Sequence, residues 1–351
     1  MCVKKILSFA ASTIKLLIII NLISNSNAEE NNIKYYSEDK GILSLMYHRF
    51  DEHKYPSTNI QMDVFIEQIK LIEDLNYKFF DPGNLEVEYN QPKKEKKILI
   101  TIDDAFSSFY NSAWPYLKKK KIPFILFVST EAVGKNGYMD WEQIKQIEKN
   151  SYVYIGNHSH SHDYLVNFSP EKLIKDIDTA NKTFIKNLGY NPIFFSYPFG
   201  EYSEFIKKYV IQNFKFSFGQ HSGVIDINKD RYELPRFPIN EKYGDLNRFK
   251  FLIKLNPLQF KKIYPVEKYV TINNPPNFYV EFFKNQKNIN NINCFSDEGN
   301  EWKKSNTTIK NNILKIKFRE KFSFRRGRIN CSLNDNGVWR WFGIQFSIKQ
   351  N

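Results

Sequence analysis

With 351 residues, 42% of them apolar and 16% aromatic, the chain can bury one large core, or one core plus a smaller module, and is not a disordered polymer. A formal charge of +13 favours anionic polymers or membrane surfaces as neighbours and leaves peripheral contact with an anionic envelope surface open. The lysines are dispersed among asparagines as solvated faces and no groove-reading motif accompanies them, so nucleic acid is excluded as a partner.

The chain begins MCVKKILSFAASTIKLLIIINLISNSNAEE. Lys4 and Lys5, the apolar run from Leu16 to Ile20 and the small-residue end Ser26-Asn27-Ala28 form a signal-peptide pattern over residues 1–28. The run is too short to span a bilayer comfortably, and Cys2 lies on the wrong side of it for lipid attachment. Cleavage after Ala28 removes three lysines and no acid, which lowers the charge from +13 to +10. Export would leave the mature protein periplasmic or extracellular, where disulfides form.

Residues 29–262 are expected to form one α/β domain. Short β-branched or aromatic runs recur: "ILSLMYH" (42–48), "KILITIDD" (97–104), "PFILFVST" (123–130), "SYVYIGNH" (151–158), "PIFFSYPFG" (192–200), "FKFSFGQ" (214–220) and "YELPRFPI" (232–239). Amphipathic segments lie between several of them. Phe65, Ile69, Ile72 and Leu75 stripe residues 61–76, and Leu173, Ile177, Ala180, Phe184 and Leu188 stripe 169–188. Ser169 is placed to cap that second helix, with Pro170 in its first turn and Gly189 at its end. Strands alternating with helices imply a mostly parallel sheet, open or closed into a barrel, with chemistry at the carboxyl ends of its strands.

Those ends carry the reactive residues. Asp103 and Asp104 close one strand; adjacent acids repel, so a metal or acid–base role competes there with a solvated turn. "IGNHSHSH" puts His158, His160 and His162 at every second position. An extended continuation would leave all three on one face, whereas a turn after Asn157 would bring residues four apart together. Gly156-Asn157 and the interleaved serines favour the turn, and two histidines with one carboxylate would complete a hydrolytic metal set that leaves a position for water. His48, His221 and Arg236 lie at or just past other strand ends.

After about residue 262 the helical periodicity stops. Runs such as "NFYVEFF", "ILKIKF" and "WRWFGIQFSI", separated by Asn, Asp, Gly and Ser clusters, predict an all-β module over 263–351. Cys294 and Cys331 both fall in it and are expected to form a disulfide.

"TIDDAF", "NHSHSH" and "SYPFG", in that order at successive strand ends, resemble the leading motifs of the polysaccharide deacetylase (NodB-homology) family, with the early "MYH" pointing to exported poly-N-acetylglucosamine-type deacetylases. The resemblance covers roughly residues 42–240. It implies a distorted (β/α) barrel and a metal-dependent hydrolase that removes N-acetyl groups from a GlcNAc-containing polysaccharide and releases acetate. Carried over by position, it makes Asp103 the catalytic base and Asp104, His158 and His162 the ligands of a divalent metal, zinc first with cobalt, nickel or iron as alternatives. It leaves His160 in the variable interior and gives the Phe199 N–H an oxyanion.

Two departures matter. Ser196 stands where the family often has an arginine that steadies the base, and Arg236 is expected to replace it. No late Leu-x-His segment is recognisable, and His221 is the expected substitute as general acid. Tyr197, His48 and Trp141 are the candidate sugar-binding residues. The departures keep two rivals in view, a carbohydrate-binding protein that has lost catalysis and a deacetylase acting on peptidoglycan or on O-acetyl esters. Oligomeric state leaves no trace in the sequence.

Overall fold

The computed structural model describes residues 41–284 and 286–350; the expected signal peptide lies outside them. The first strand, β1 (Ile42–Tyr47), is wholly buried, as an apolar run in a parallel sheet should be. Helix α1 (Met62–Asp74) follows, then β2 (Lys97–Ile102), α2 (Trp114–Lys120), β3 (Phe124–Val128), α3 (Trp141–Glu148) and β4 (Val153–Asn157). The series continues with α4 (Pro170–Leu188), β5 (Phe194–Ser196), α5 (Glu204–Asn213), β6 (Phe216–Phe218), β7 (Val224–Ile225), β8 (Phe237–Pro238) and α6 (Leu246–Leu252).

These strands form one sheet in the order β7-β1-β2-β3-β4-β5-β6, parallel from β1 to β6, with β8 also beside β1. The sheet nearly closes on itself. Leu234 bridges to Phe218 at one edge while Phe237 and Pro238 pair with β1 at the other, so residues 234–238 span the seam of a distorted (β/α) barrel. Helix α4 follows its sequence closely. The Ser169 hydroxyl accepts from the Lys172 N–H, Pro170 opens the first turn, and Gly189 ends the helix in the left-handed region at φ 86°. Its buried residues Leu173, Ile177, Ala180 and Phe184 are the apolar stripe.

Beyond α6 the chain is β-rich, and it joins its new sheet at Asn256–Pro257, ahead of the expected boundary. Strands β9 (Phe278–Glu281) and β11 (Ile313–Lys317) belong to one antiparallel sheet; β10 (Asn293–Asp297), β12 (Arg326–Asp335) and β13 (Val338–Ile348) belong to another. Phe278, Val280, Leu314, Ile316, Phe342 and Phe346 fill a core shared by the two sheets. Cys294 and Cys331 face each other across β10 and β12 and are disulfide-bonded. The second sheet lies against the barrel: Trp341 packs 6.2 Å from Phe237, and its indole N–H donates to Ser222. Among the described residues no helix is long and apolar enough to cross a membrane.

Candidate metal and catalytic centre

The two carboxylates converge because the strand stops at Ile102. An extended chain would send Asp103 and Asp104 to opposite sides. Instead Asp104 (φ 72°) and Ala105 (φ 52°) turn through the left-handed region, and the side chains of both acids approach His158 Nε2, at 3.9 Å for Asp103 and 3.5 Å for Asp104. Two such residues in succession are costly, of order 1–3 kcal/mol each, and strain of this kind clusters at functional sites.

The histidine segment turns as well. Ser159 (φ 66°) and His162 (φ 55°) break the extended run, and His162 Nε2 comes to 3.2 Å from the same Asp104 oxygen. The His158 and His162 rings meet edge to face at 4.7 Å. His160 points elsewhere: its Nδ1 pairs with Thr130 Oγ1 at 2.9 Å and its N–H donates to Asp176.

The donor set fits a divalent metal. One ligand atom each from Asp104, His158 and His162 lies within 4.8 Å of the others. His158 Nδ1 donates to the Ser196 carbonyl at 2.7 Å, which leaves the lone pair on Nε2 facing the site. That Nε2 is buried with no hydrogen-bond partner among the described residues, an arrangement that calls for an occupant. Burial pushes the His158 pKa down to about 4, so the ring is neutral and able to ligate. Burial acts the other way on Asp104, but the hydrogen bond and charge of His162 outweigh it and hold the carboxyl well below its usual range. For His162 burial is again the largest influence, a lowering one, yet Asp104 leaves its pKa raised. Two imidazole nitrogens and a carboxylate oxygen suit zinc, cobalt, nickel or iron.

Arg236 comes from the segment that closes the barrel. Its Nη1 and Nη2 donate to the two Asp103 oxygens at 2.6 and 2.9 Å, a bidentate pair with both side chains fully buried. Nη2 also donates to Ser196 Oγ at 2.8 Å, Nη1 to Thr101 Oγ1 at 3.2 Å and Nε to the Gly219 carbonyl at 2.9 Å. Serine at 196 thus leaves room for a guanidinium arriving from another strand. Burial alone would raise the Asp103 pKa; Arg236, with His158 and His48, holds it below the ordinary value. His48, just past β1, stands with Nε2 4.0 Å from Asp103 Oδ2.

Phe199 lies in the turn after β5 with φ 60°, its ring stacked on Tyr164 at 4.1 Å and 4.7 Å from His162. Gly200 beside it (φ 67°) has no room for a side chain, since a Cβ there would lie 2.4 Å from the Gln220 nitrogen.

The other expected site residues lie in different surroundings. Tyr197 is no sugar contact: it is fully buried, stacked on Tyr202, and its hydroxyl donates to the Tyr232 carbonyl. Trp141, half-buried at the start of α3, packs its indole edge-on against Phe184 of the barrel core. His221 lines a cleft of about 320 Å³ between the barrel and the C-terminal sheet, together with Phe237, Trp302 and Trp341. Burial, with Lys229, Lys268 and Arg236 nearby, pushes its pKa down to about 3. Its half-buried ring borders that cleft, and no hydrogen bond or ion pair among the described residues joins it to Asp103, Asp104, His158 or His162.

Asp176 was not singled out by sequence. It receives the backbone N–H groups of His160 and Ser161 at 2.9 and 3.1 Å and so ties the histidine segment to α4. Its signal was a carboxylate three residues after Leu173, on the apolar stripe of that helix.

Residues 90–215 match the family model for polysaccharide deacetylase. The poly-beta-1,6-N-acetyl-D-glucosamine N-deacetylase of Staphylococcus aureus is 24% identical over 265 residues, covering 65% of this chain and 88% of its own. YxkH of Bacillus subtilis is 27% identical over 162 residues; the match takes in 46% of this chain and only 57% of that protein. Among solved structures, IcaB from Ammonifex degensii superposes with a TM-score of 0.54 at 24% identity, over 61% of this chain and 97% of its own. The Streptococcus pyogenes deacetylase PplD, in complex with acetate, gives 0.53 at 23% identity, over 58% and 94%. The motif order, the curled parallel sheet and the matched segment agree, and the chain carries a polysaccharide deacetylase domain of the NodB-homology type.

Proposed function

We propose that the protein is an exported, metal-dependent hydrolase that removes N-acetyl groups from a GlcNAc-containing polysaccharide. The observation that carries the reading is a pair of converging sets: a buried base clamped by Arg236, and a three-donor cluster with an unpartnered imidazole nitrogen 3.9 Å from that base.

Asp104, His158 and His162 would hold a divalent ion, whose Lewis acidity would make the attacking water easier to deprotonate. Asp103, kept ionised by Arg236, takes the proton from the attacking water at Oδ2, the oxygen that faces His158 and His48. The Phe199 N–H is the donor for the oxyanion that develops on the acetyl carbonyl, a contribution of about 3 kcal/mol for one such donor. His48, about 14% exposed and beside Asp103, delivers the proton to the departing sugar amine; it takes the general-acid role first expected of His221. Water adds to the carbonyl carbon, the carbon–nitrogen bond breaks, and acetate and a free amine leave.

The name of the staphylococcal relative makes β-1,6-linked oligomers the first substrate to test. Support for export is the signal-peptide pattern of residues 1–28 together with the disulfide. The test is a panel of β-1,6-linked and β-1,4-linked N-acetylglucosamine oligomers, a peptidoglycan fragment and acetyl-xylan, scored for acetate and for new primary amine. The expected result is both products in equal amounts from the N-acetylated sugars. Acetate from acetyl-xylan alone would make the protein an esterase instead.

A further inference from the structure

The C-terminal sheets do more at the site than flank it. Glu201, two residues past Phe199, is fully buried, and a buried carboxylate must be paired. Its partners come from the other end of the chain: Arg325 Nε lies 3.1 and 3.0 Å from the two carboxylate oxygens, and Arg326 Nε 2.9 Å from one of them. The side-chain amide of Gln345, on β13, donates to the carbonyls of Phe199 (3.1 Å) and Gly200 (3.2 Å). The two arginines also face the aromatic pair beside the metal ligands, with Arg325 3.4 Å from the centre of the Tyr164 ring and Arg326 5.6 Å from that of Phe199. Gly343 lets the sheet come this close, since a Cβ there would lie 2.3 Å from the Ser222 carbonyl.

A bulky residue at φ 60° holds that conformation only where its surroundings over-determine it. Barrel residues constrain the ring of Phe199 through Tyr164 and His162, and the two peptide planes that follow it are held from both sides: their N–H groups donate to the Tyr197 and Pro198 carbonyls, and their carbonyls accept from Gln345. We infer that Gln345, Arg325 and Arg326 are positioning residues for the 197–201 turn, so that the C-terminal sheets complete the active site and set the aim of the Phe199 N–H. The inference rests on the deacetylase reading for its effect on rate, though not for the bracing itself. Because an oxyanion donor acts mainly in the transition state, a misaimed one lowers kcat and leaves KM nearly alone.

The test uses the full chain with Gln345→Leu and, as a milder and more exposed change, Arg326→Gln. Acetate release from an N-acetylglucosamine oligomer, bound-metal stoichiometry and amide hydrogen exchange are measured on each. The expected result is kcat reduced about tenfold or more in Gln345→Leu with KM within about twofold, and a smaller loss in Arg326→Gln. Metal content should stay at the wild-type level, with faster exchange confined to the amides of residues 199–201. Unchanged exchange in that turn, or kcat within about twofold of wild type in both variants, would overturn the inference, as would joint loss of metal, fold and activity in both. If the wild-type chain releases no acetate, the deacetylase reading fails, and the exchange result alone decides the bracing.

Discussion

Arg236 and Asp103 are both fully buried, and neither is tolerable there alone. Replacing Arg236 with Met strands the carboxylate, at a cost of about 3–5 kcal/mol. Asp103 is depressed in the folded state, so its contribution is present above the ordinary carboxylate range and fades as pH falls through its folded value. Without Arg236 burial dominates and the Asp103 pKa rises. A pH–rate profile of Arg236→Met should therefore show its acid limb moved to higher pH and a lower plateau; superimposable profiles would remove Arg236 from this role. For the histidines the expected outcome is sharper. His160→Ala should keep a full complement of metal, because its ring is turned to Thr130, whereas His158→Ala and His162→Ala should lose most of it. Metal analysis of the three purified variants decides this. The alternating spacing did not distinguish the three histidines. What separates them is the pair of left-handed residues at 159 and 162, and local sequence signals such a turn only weakly.

At the scale of elements, the strands and helices of the barrel were legible because their periodicity is strong. Helix α4 shows its cap, proline and terminal glycine in sequence as in structure. The short seam strand β8 was visible only as part of a longer run, and the position of Arg236 follows from closure of the sheet rather than from any local pattern. Tyr197 misled for a related reason: an aromatic residue near a strand end points to the core or to the site according to packing that sequence does not reveal. Asp176 links α4 to the histidine segment. Asp176→Ala should weaken metal affinity by about 10-fold to 100-fold, the usual effect of removing an outer support, while leaving the helix folded. A metal titration followed alongside circular dichroism reads both quantities, and unchanged affinity would make the contact incidental.

Across the whole molecule, the β-rich end was recognisable from its turn-separated runs, but its hold on the 197–201 turn was not. The contacts of Arg325, Arg326 and Gln345 with residues 199–201 join segments more than a hundred positions apart, and no periodicity encodes them. The Cys294–Cys331 bridge closes a loop of separation 37 inside that end. Chain entropy gives it about 4 kcal/mol of stabilisation. Replacing both cysteines with alanine should lower the melting temperature of the protein, and an unchanged melting curve would show that the bridge adds little. All of these relations serve one claim, that Asp104, His158 and His162 hold an ion on which deacetylation by Asp103 depends. The most direct measurement is acetate release from a β-1,6-linked N-acetylglucosamine oligomer by chelator-stripped protein, before and after addition of one equivalent of zinc. Background release from the stripped protein and recovery on zinc addition are expected. Full activity after stripping, or none at any metal loading, would contradict that claim.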